Sequence, residues 1–190
     1  MVKRLIVGMS GASGAPLTVE LLRQLHENHP EVETHLIVTR GGGMTLAHET
    51  GMALADLQAL AHVCHDNGSI GASIASGSFK TMGMIVVPCS MKTVAGVVSG
   101  YSDNLLLRAA DVCLKERRKL VLCARESPLA TVHLRNLYEA SQLGAVILPP
   151  MLTYYNHPGT VDEMTRHTVQ RILSQFDLDE GSYQWEGIGE

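Results

Sequence analysis

The chain has 190 residues, 45% of them hydrophobic and 18% charged, which is enough apolar material to pack one sizeable core and argues against a disordered or fibrous chain. A formal charge of −4, with scattered acids and no dense Lys/Arg run, excludes the electrostatic footprint of a nucleic-acid binder. No stretch approaches the roughly 18 apolar residues of a membrane span, the Leu5-Ile6-Val7 run is too short for a signal-peptide core, and Cys64, Cys89, Cys113 and Cys123 lack CxxC spacing. The expectation is a cytoplasmic protein with no membrane or nucleic-acid partner, carrying reduced thiols rather than a disulfide framework or a zinc site.

In chain order, the first predicted strand is Leu5–Val7, followed by a glycine-rich turn and a helix over Ala15–His26, where Leu17, Leu21, Leu22 and Leu25 share a face and Pro16 sits in the tolerated first turn. Further short apolar runs, Leu36–Val38, Met84–Val87, Leu120–Leu122 and Val146–Leu148, suit strands buried on both faces. Helical patterns over Asn104–Glu116, Leu129–Leu143 and Val161–Phe176 keep up the alternation. Residues 1–190 are therefore expected to form one α/β domain, a doubly wound, Rossmann-like parallel sheet with helices on both faces. Ligands of such folds bind beyond the carboxyl ends of the strands, which selects Ser10–Gly14, Thr39–Gly43, Pro88–Thr93, Ala124–Ser127 and Pro149–Pro158.

Gly8-Met9-Ser10-Gly11-Ala12-Ser13-Gly14-Ala15-Pro16 joins strand to helix with small residues that let backbone N–H groups and a helix N-terminus approach an anion, normally a phosphate; tight strand–helix packing without a ligand is the alternative. Its spacing is GxxGxxG, and Thr39 stands where a dinucleotide site would place Asp or Glu to hold a ribose, so NAD is disfavoured. Arg40 leaves NADP open, but there is no YxxxK pair. Pro88-Cys89-Ser90-Met91-Lys92-Thr93 brings a second hydroxyl-bearing helix start to the same sheet edge; Ser90 reads either as a simple N-cap or as part of a phosphate or flavin site shared with the Gly turn. Cys89 reads as inert packing at a strand end. Arg108, Asp111 and Lys115 share a helix face, as ordinary ion pairing or as a functional set, while Arg125-Glu126 directly follows a strand at the ligand edge, where an anion could be held and a proton exchanged. His62, Cys64 and His65 read as a surface loop without a further ligand cluster, and His133 and His167 as ordinary, partly exposed helix residues.

Taken together, Gly11-Ala12-Ser13-Gly14-Ala15, Ser76-Gly77-Ser78, Pro88-Cys89-Ser90, Arg108-Ala109-Ala110-Asp111-Val112, Leu114-Lys115-Glu116-Arg117-Arg118, Arg125-Glu126 and Gly144-Ala145-Val146-Ile147-Leu148-Pro149 resemble the UbiX flavin prenyltransferases, flavoproteins that include the B components associated with hydroxyarylic acid decarboxylases. The resemblance runs through nearly the whole chain. It implies an enzyme, a transferase joining a dimethylallyl group from dimethylallyl phosphate to N5 and C6 of reduced FMN, whose product, prenylated FMN, serves a UbiD-type decarboxylase. By position it implies flavin contacts for Gly11, Ala12, Ser13, Thr39, Ser90, Met91, Lys92, Thr93 and Arg125. Tyr155 and Arg171 match residues that hold dimethylallyl phosphate, with Lys115, Arg108 and Glu126 near that phosphate, Glu49 beside the flavin and Trp185 matching a C-terminal tryptophan. A homo-oligomer with sites built from neighbouring subunits is also implied. Thr39 replaces a common Ser, and Gly41-Gly42-Gly43 stands where the family more often has a Lys-Ala-rich helix start.

The residue inventory agrees with that chemistry. The chain has no DDxxD, no HExxH and no compact His/Asp/Glu cluster, so no metal is expected. Lys115, Arg125 and Arg171, with Tyr155 as donor, could meet the charge developing on a departing monophosphate. Glu49, Glu126 or the released phosphate could take the ring proton, with Ser13 relaying one near N5. Two other readings stay open, a non-catalytic flavin carrier and a flavin-dependent cysteine decarboxylase of the same fold, although Pro150-Met151-Leu152-Thr153-Tyr154-Tyr155 lacks the PxMNxxMW motif of the latter.

Overall fold

The computed structural model describes residues 2–179, 183 and 185–187. Its sheet has six strands, β1 (Lys3–Met9), β2 (Val32–Val38), β3 (Val63–His65), β4 (Gly83–Cys89), β5 (Lys119–Ala124) and β6 (Val146–Ile147), in the order β3-β2-β1-β4-β5-β6. Every pairing is parallel, with Leu5 opposite Thr34 on one side and Gly83 on the other. The helices are α1 (Ala15–Asn28), α2 (Arg40–Thr50), α3 (Leu54–Gln58), α4 (Met91–Ser99), α5 (Leu105–Lys115), α6 (Thr131–Gln142) and α7 (Val161–Leu173).

The period of two along each strand divides the core into two layers. Leu5, Val7, Leu36, Ile85, Val87 and Val121 face α1, α2 and α7, where Leu21, Leu22, Leu25, Ile172 and Leu173 are sealed from solvent. Ile6, Ile37, Met84, Val86, Leu120 and Leu122 face α4, α5 and α6. Each such side chain contributes about 1.5–3 kcal/mol by leaving water. The expected doubly wound α/β sheet is thus what forms. Strand order reverses between β1 and β4, whose following helices leave toward opposite faces, so the Ser10–Gly14 turn and the Ser90 helix start flank the switch point at which such folds bind ligands.

Strand β3 corrects the loop expected around His62, Cys64 and His65. Its three residues add an edge to β2, pairing Val63 with His35 and His65 with Ile37. Polar side chains fasten it: the His62 ring accepts from Thr34 N–H at 3.2 Å, and His65 Nε2 lies 2.9 Å from His35 Nδ1. Buried His35 also lies 2.9 Å from the Glu33 carboxylate, which Arg4 holds at 2.8 Å.

Candidate active site

At the strand reversal, the chain uses buried hydroxyls to lock its two ligand-edge turns together. Ser10 donates from its backbone N–H and its hydroxyl to the Pro88 carbonyl, and the same hydroxyl accepts from Ser90 N–H at 2.8 Å. Thr18, fully buried, donates to the Val87 carbonyl. Gly14 caps α1 at φ 124°, a conformation that a Cβ would strain. A Cβ on Gly11 would stand 3.0 Å from the Gly41 backbone, so the Gly turn and the start of α2 meet main chain to main chain. The Gly41-Gly42-Gly43 run therefore answers a packing demand at its first two positions: Gly42 has Met9 O only 2.7 Å from where its Cβ would be, whereas Gly43 has open space.

Thr39 accepts from Gly42 N–H at 3.0 Å and Ser90 from Thr93 N–H at 3.4 Å, so both hydroxyls are N-caps. Buried Met91 and Thr93 point into the core while Lys92 is exposed. At the first turn of α4 the N–H groups of Met91 and Lys92 have no intrahelical acceptor. Gly11 and Ser13 are exposed beside them, Ala12 is buried, and Arg125, anchored by its N–H on the Cys89 carbonyl at 3.0 Å, extends into solvent at the same edge. Flat backbone, free donors and a guanidinium together suit a planar, phosphorylated ligand.

The N-terminus of α1 departs from the expectation of a ligand anion on the Gly turn. Glu49 Oε2 already occupies it, accepting from Gly14 N–H at 2.9 Å and Ala15 N–H at 2.8 Å. Burial pushes the Glu49 carboxyl up, but the Ser13 hydroxyl, these two backbone donors and the nearby Arg125 charge outweigh it and hold the group below its ordinary value. A carboxylate so held is a poor base and a good brace. Glu126 differs: it is exposed, and the hydrogen bond found for its side chain is from the next N–H, Ser127, at 3.0 Å.

A second cluster lies on the outer flank of α7. Tyr155, His167, Gln170, Arg171, Asp179, Tyr183 and Trp185 line one cleft. The Tyr155 and Trp185 rings meet edge to face at 5.5 Å, and Arg171 is exposed. His167 was expected to be partly exposed; it is 4% exposed, with Nε2 3.0 Å from the Tyr155 hydroxyl. The signal was its place four residues before Arg171 on one helix face, too common a spacing to read alone. The third group is on α5. Arg108 donates to the Ala75 carbonyl at 3.1 Å and pairs with Asp111 at 2.6 Å, while Lys115 pairs with Glu116 at 2.5 Å. Because α5 runs against the strands, Lys115 sits at the opposite end of β5 from Arg125, about 20 Å away by strand rise.

A single chain thus gathers Gly11, Ala12, Ser13, Thr39, Glu49, Ser90, Met91, Lys92, Thr93, Arg125 and Glu126 at one edge, and Tyr155, Arg171 and Trp185 at another, while Arg108 and Lys115 stay apart from both. Cys89 is sealed, its thiol pushed far up by burial, as inert packing requires.

The sequence profile of the Flavoprotein family matches residues 2–174. The flavin prenyltransferase UbiX of Salmonella typhimurium is 53% identical over 176 residues, covering 93% of each chain. A crystal structure described as a dodecameric FMN-dependent UbiX-like decarboxylase from Escherichia coli O157:H7 superposes with TM-score 0.94 at 51% identity, covering 97% of this chain and 100% of that one. AnUbiX (PadA1), crystallised with FMN and dimethylallyl pyrophosphate, gives TM-score 0.95 at 44% identity over the full length of both chains. Sequence and fold, matched from end to end, place the chain in the UbiX-like flavin prenyltransferase family of flavoproteins.

Proposed function

We propose that this protein transfers a dimethylallyl group from dimethylallyl phosphate to N5 and C6 of reduced FMN, giving prenylated FMN for a UbiD-type decarboxylase, and that it does so as a cytoplasmic homo-oligomer. The observation that carries the reading is the ligand edge at the strand reversal, where the Gly11–Gly41 backbone contact, the first-turn donors of α4 and Arg125 fit a flavin and its phosphate. The flavin supplies the nucleophilic nitrogen and ring carbon. Ser90–Thr93 and Arg125 bind and orient it; Tyr155, Arg171, Lys115 and Arg108 hold the ester phosphate and meet the charge on the departing oxygen. The ester C–O bond breaks as the bond to N5 forms, the N5 proton passing to the departing phosphate; that proton, returned to the remaining prenyl double bond, lets the chain close on C6, which releases its own proton. Glu126 is the better acceptor for it, since the Glu49 carboxylate is occupied by Ser13, Gly14 and Ala15. No metal is required by this set of cations.

In this reading the three groups separated in one chain converge across subunit contacts. The exposure of Met151 (71%), Leu152 (61%) and Tyr154 (66%) on the segment leading to Tyr155 supports an arm that docks on another copy. A flavin carrier would need the Gly turn and α4 but has no use for Tyr155, Arg171 and Lys115, and this favours the enzyme. The test is to incubate the protein with reduced FMN and dimethylallyl phosphate, without metal, and record the flavin mass. A gain of one prenyl group is expected, lost in Arg171→Ala and Glu126→Ala. Unaltered flavin from the wild-type protein would overturn the proposal in favour of the carrier.

A further inference from the structure

We infer that His167 is a positioning residue for Tyr155: its Nε2–H donates to the phenolic oxygen, which releases the Tyr155 O–H to point at the substrate's phosphate beside Arg171. The inference rests on the proposed function for the identity of that anion. The hydrogen bond itself stands on the geometry alone. Nε2 and the hydroxyl oxygen are 3.0 Å apart, and the rings meet edge to face, with centroids at 5.6 Å and planes at 82°. His167 is 4% exposed and fixed by α7, whereas Tyr155 is 42% exposed on a segment without regular structure, so the imidazole is the fixed member of the pair.

The direction of the bond follows from what each group can do. A phenol has one hydrogen to give. If His167 accepted it, Tyr155 would offer only lone pairs to the cleft, and lone pairs repel a phosphate. With Nε2–H as donor, the oxygen is satisfied and its own hydrogen is free for the anion. Burial and the neighbouring Arg171 charge both push the His167 pKa down, which keeps the ring neutral and leaves Nδ1 bare in this tautomer. Arg171 is one helical turn on from His167, in the same cleft, so the imidazole that orients Tyr155 and the cation are held on one rigid element.

Two measurements decide it. Solid-state 15N NMR of histidine-labelled, sedimented protein, with the His167 signal assigned by its loss in His167→Gln, should show the Nε2-protonated tautomer; an Nδ1-protonated ring would overturn the inference. Steady-state prenylation should then give a coupled pair. His167→Phe is expected to lower kcat/KM for dimethylallyl phosphate about tenfold, the size of one hydrogen bond, largely through KM. His167→Gln, whose amide can donate, should stay within about threefold of wild type, and in a Tyr155→Phe background His167→Phe should cost less than about twofold. An equal loss in both backgrounds would mean that His167 merely packs. A wild-type protein that makes no adduct would strike the functional reading and the substrate half of this inference, while the tautomer still reports on the hydrogen bond.

Discussion

Replacing Glu49 by alanine should loosen the ligand edge before it touches the chemistry. The carboxylate braces two elements 35 residues apart, accepting from Gly14 and Ala15 N–H at 2.9 and 2.8 Å on one oxygen. Charge-assisted bonds of this type are worth about 1.5–3 kcal/mol, and a negative group at a helix N-terminus adds about 0.3–1 kcal/mol. Water reaches the partly buried site in the variant and replaces some of that, so a net loss of about 2 kcal/mol is expected at pH 7. For a chain of this size that is a fall of about 4–8 °C in Tm, read by scanning calorimetry at fixed protein concentration. The pH dependence has a definite sign. The folded carboxyl titrates below its ordinary value of 4.5, so the unfolded chain binds the extra proton first as pH falls. The contribution is complete above about pH 4.5 and fades as pH drops through the lower folded pKa. Wild type and Glu49→Ala should differ by a constant amount from pH 5.5 to 8, in the range of about 2 kcal/mol, and draw together in acid. A difference under about 0.5 kcal/mol at pH 7 would refute the brace.

The other expectations are narrower. Gly43→Ala, in open space within α2, should raise stability by about 0.5–1 kcal/mol, while Gly42→Ala, whose Cβ meets Met9 O at 2.7 Å, should lower it by about 1–3 kcal/mol, both measurable by denaturant titration. Of the four thiols only Cys64 is exposed, and burial pushes Cys113 up to about 12 and Cys89 and Cys123 up as well, so a disulfide reagent should modify one thiol in the native protein and four in denaturant. Mixing Arg125→Ala and Arg171→Ala subunits after dissociation and reassembly should restore about a quarter of wild-type prenylation if the two arginines of a site come from different chains, and none if they come from one.

The alternation of apolar runs and amphipathic helices was enough to read the sheet, its two faces and the reversal between β1 and β4, because buried parallel strands and their helices carry the strongest periodic signals. Strand β3 was not legible. It has three residues, two of them partly buried, and it is held by imidazole contacts to Thr34 and His35 that sequence spacing does not announce. The local features of the ligand edge could be read from residue types: Ser90 and Thr39 as helix starts, Gly14 at a turn. Glu49 on the α1 terminus could not, since that contact spans 35 positions and places an acid where a ligand anion was expected. The burial of His167 is not legible either, because it depends on α7 packing against the segment that carries Tyr155.

The separation of the cations also has a physical rationale under the proposed chemistry. Arg125, Arg171, Arg108 and Lys115 brought into one pocket of an isolated chain would repel one another with no anion between them, a cost that grows as the pocket is dried. Kept on separate surfaces, Arg108 and Lys115 are neutralised at home by Asp111 and Glu116, and Arg125 by proximity to Glu49. In the proposed assembly they would be gathered only where a phosphate can lie between. The exposed Tyr155 arm, with Met151, Leu152 and Tyr154 beside it, is the part of the chain whose apolar burial can offset that gathering. On this argument the monomer should bind flavin at its own ligand edge yet have no means of breaking the ester bond, so catalysis is coupled to oligomerisation by electrostatics as well as by geometry.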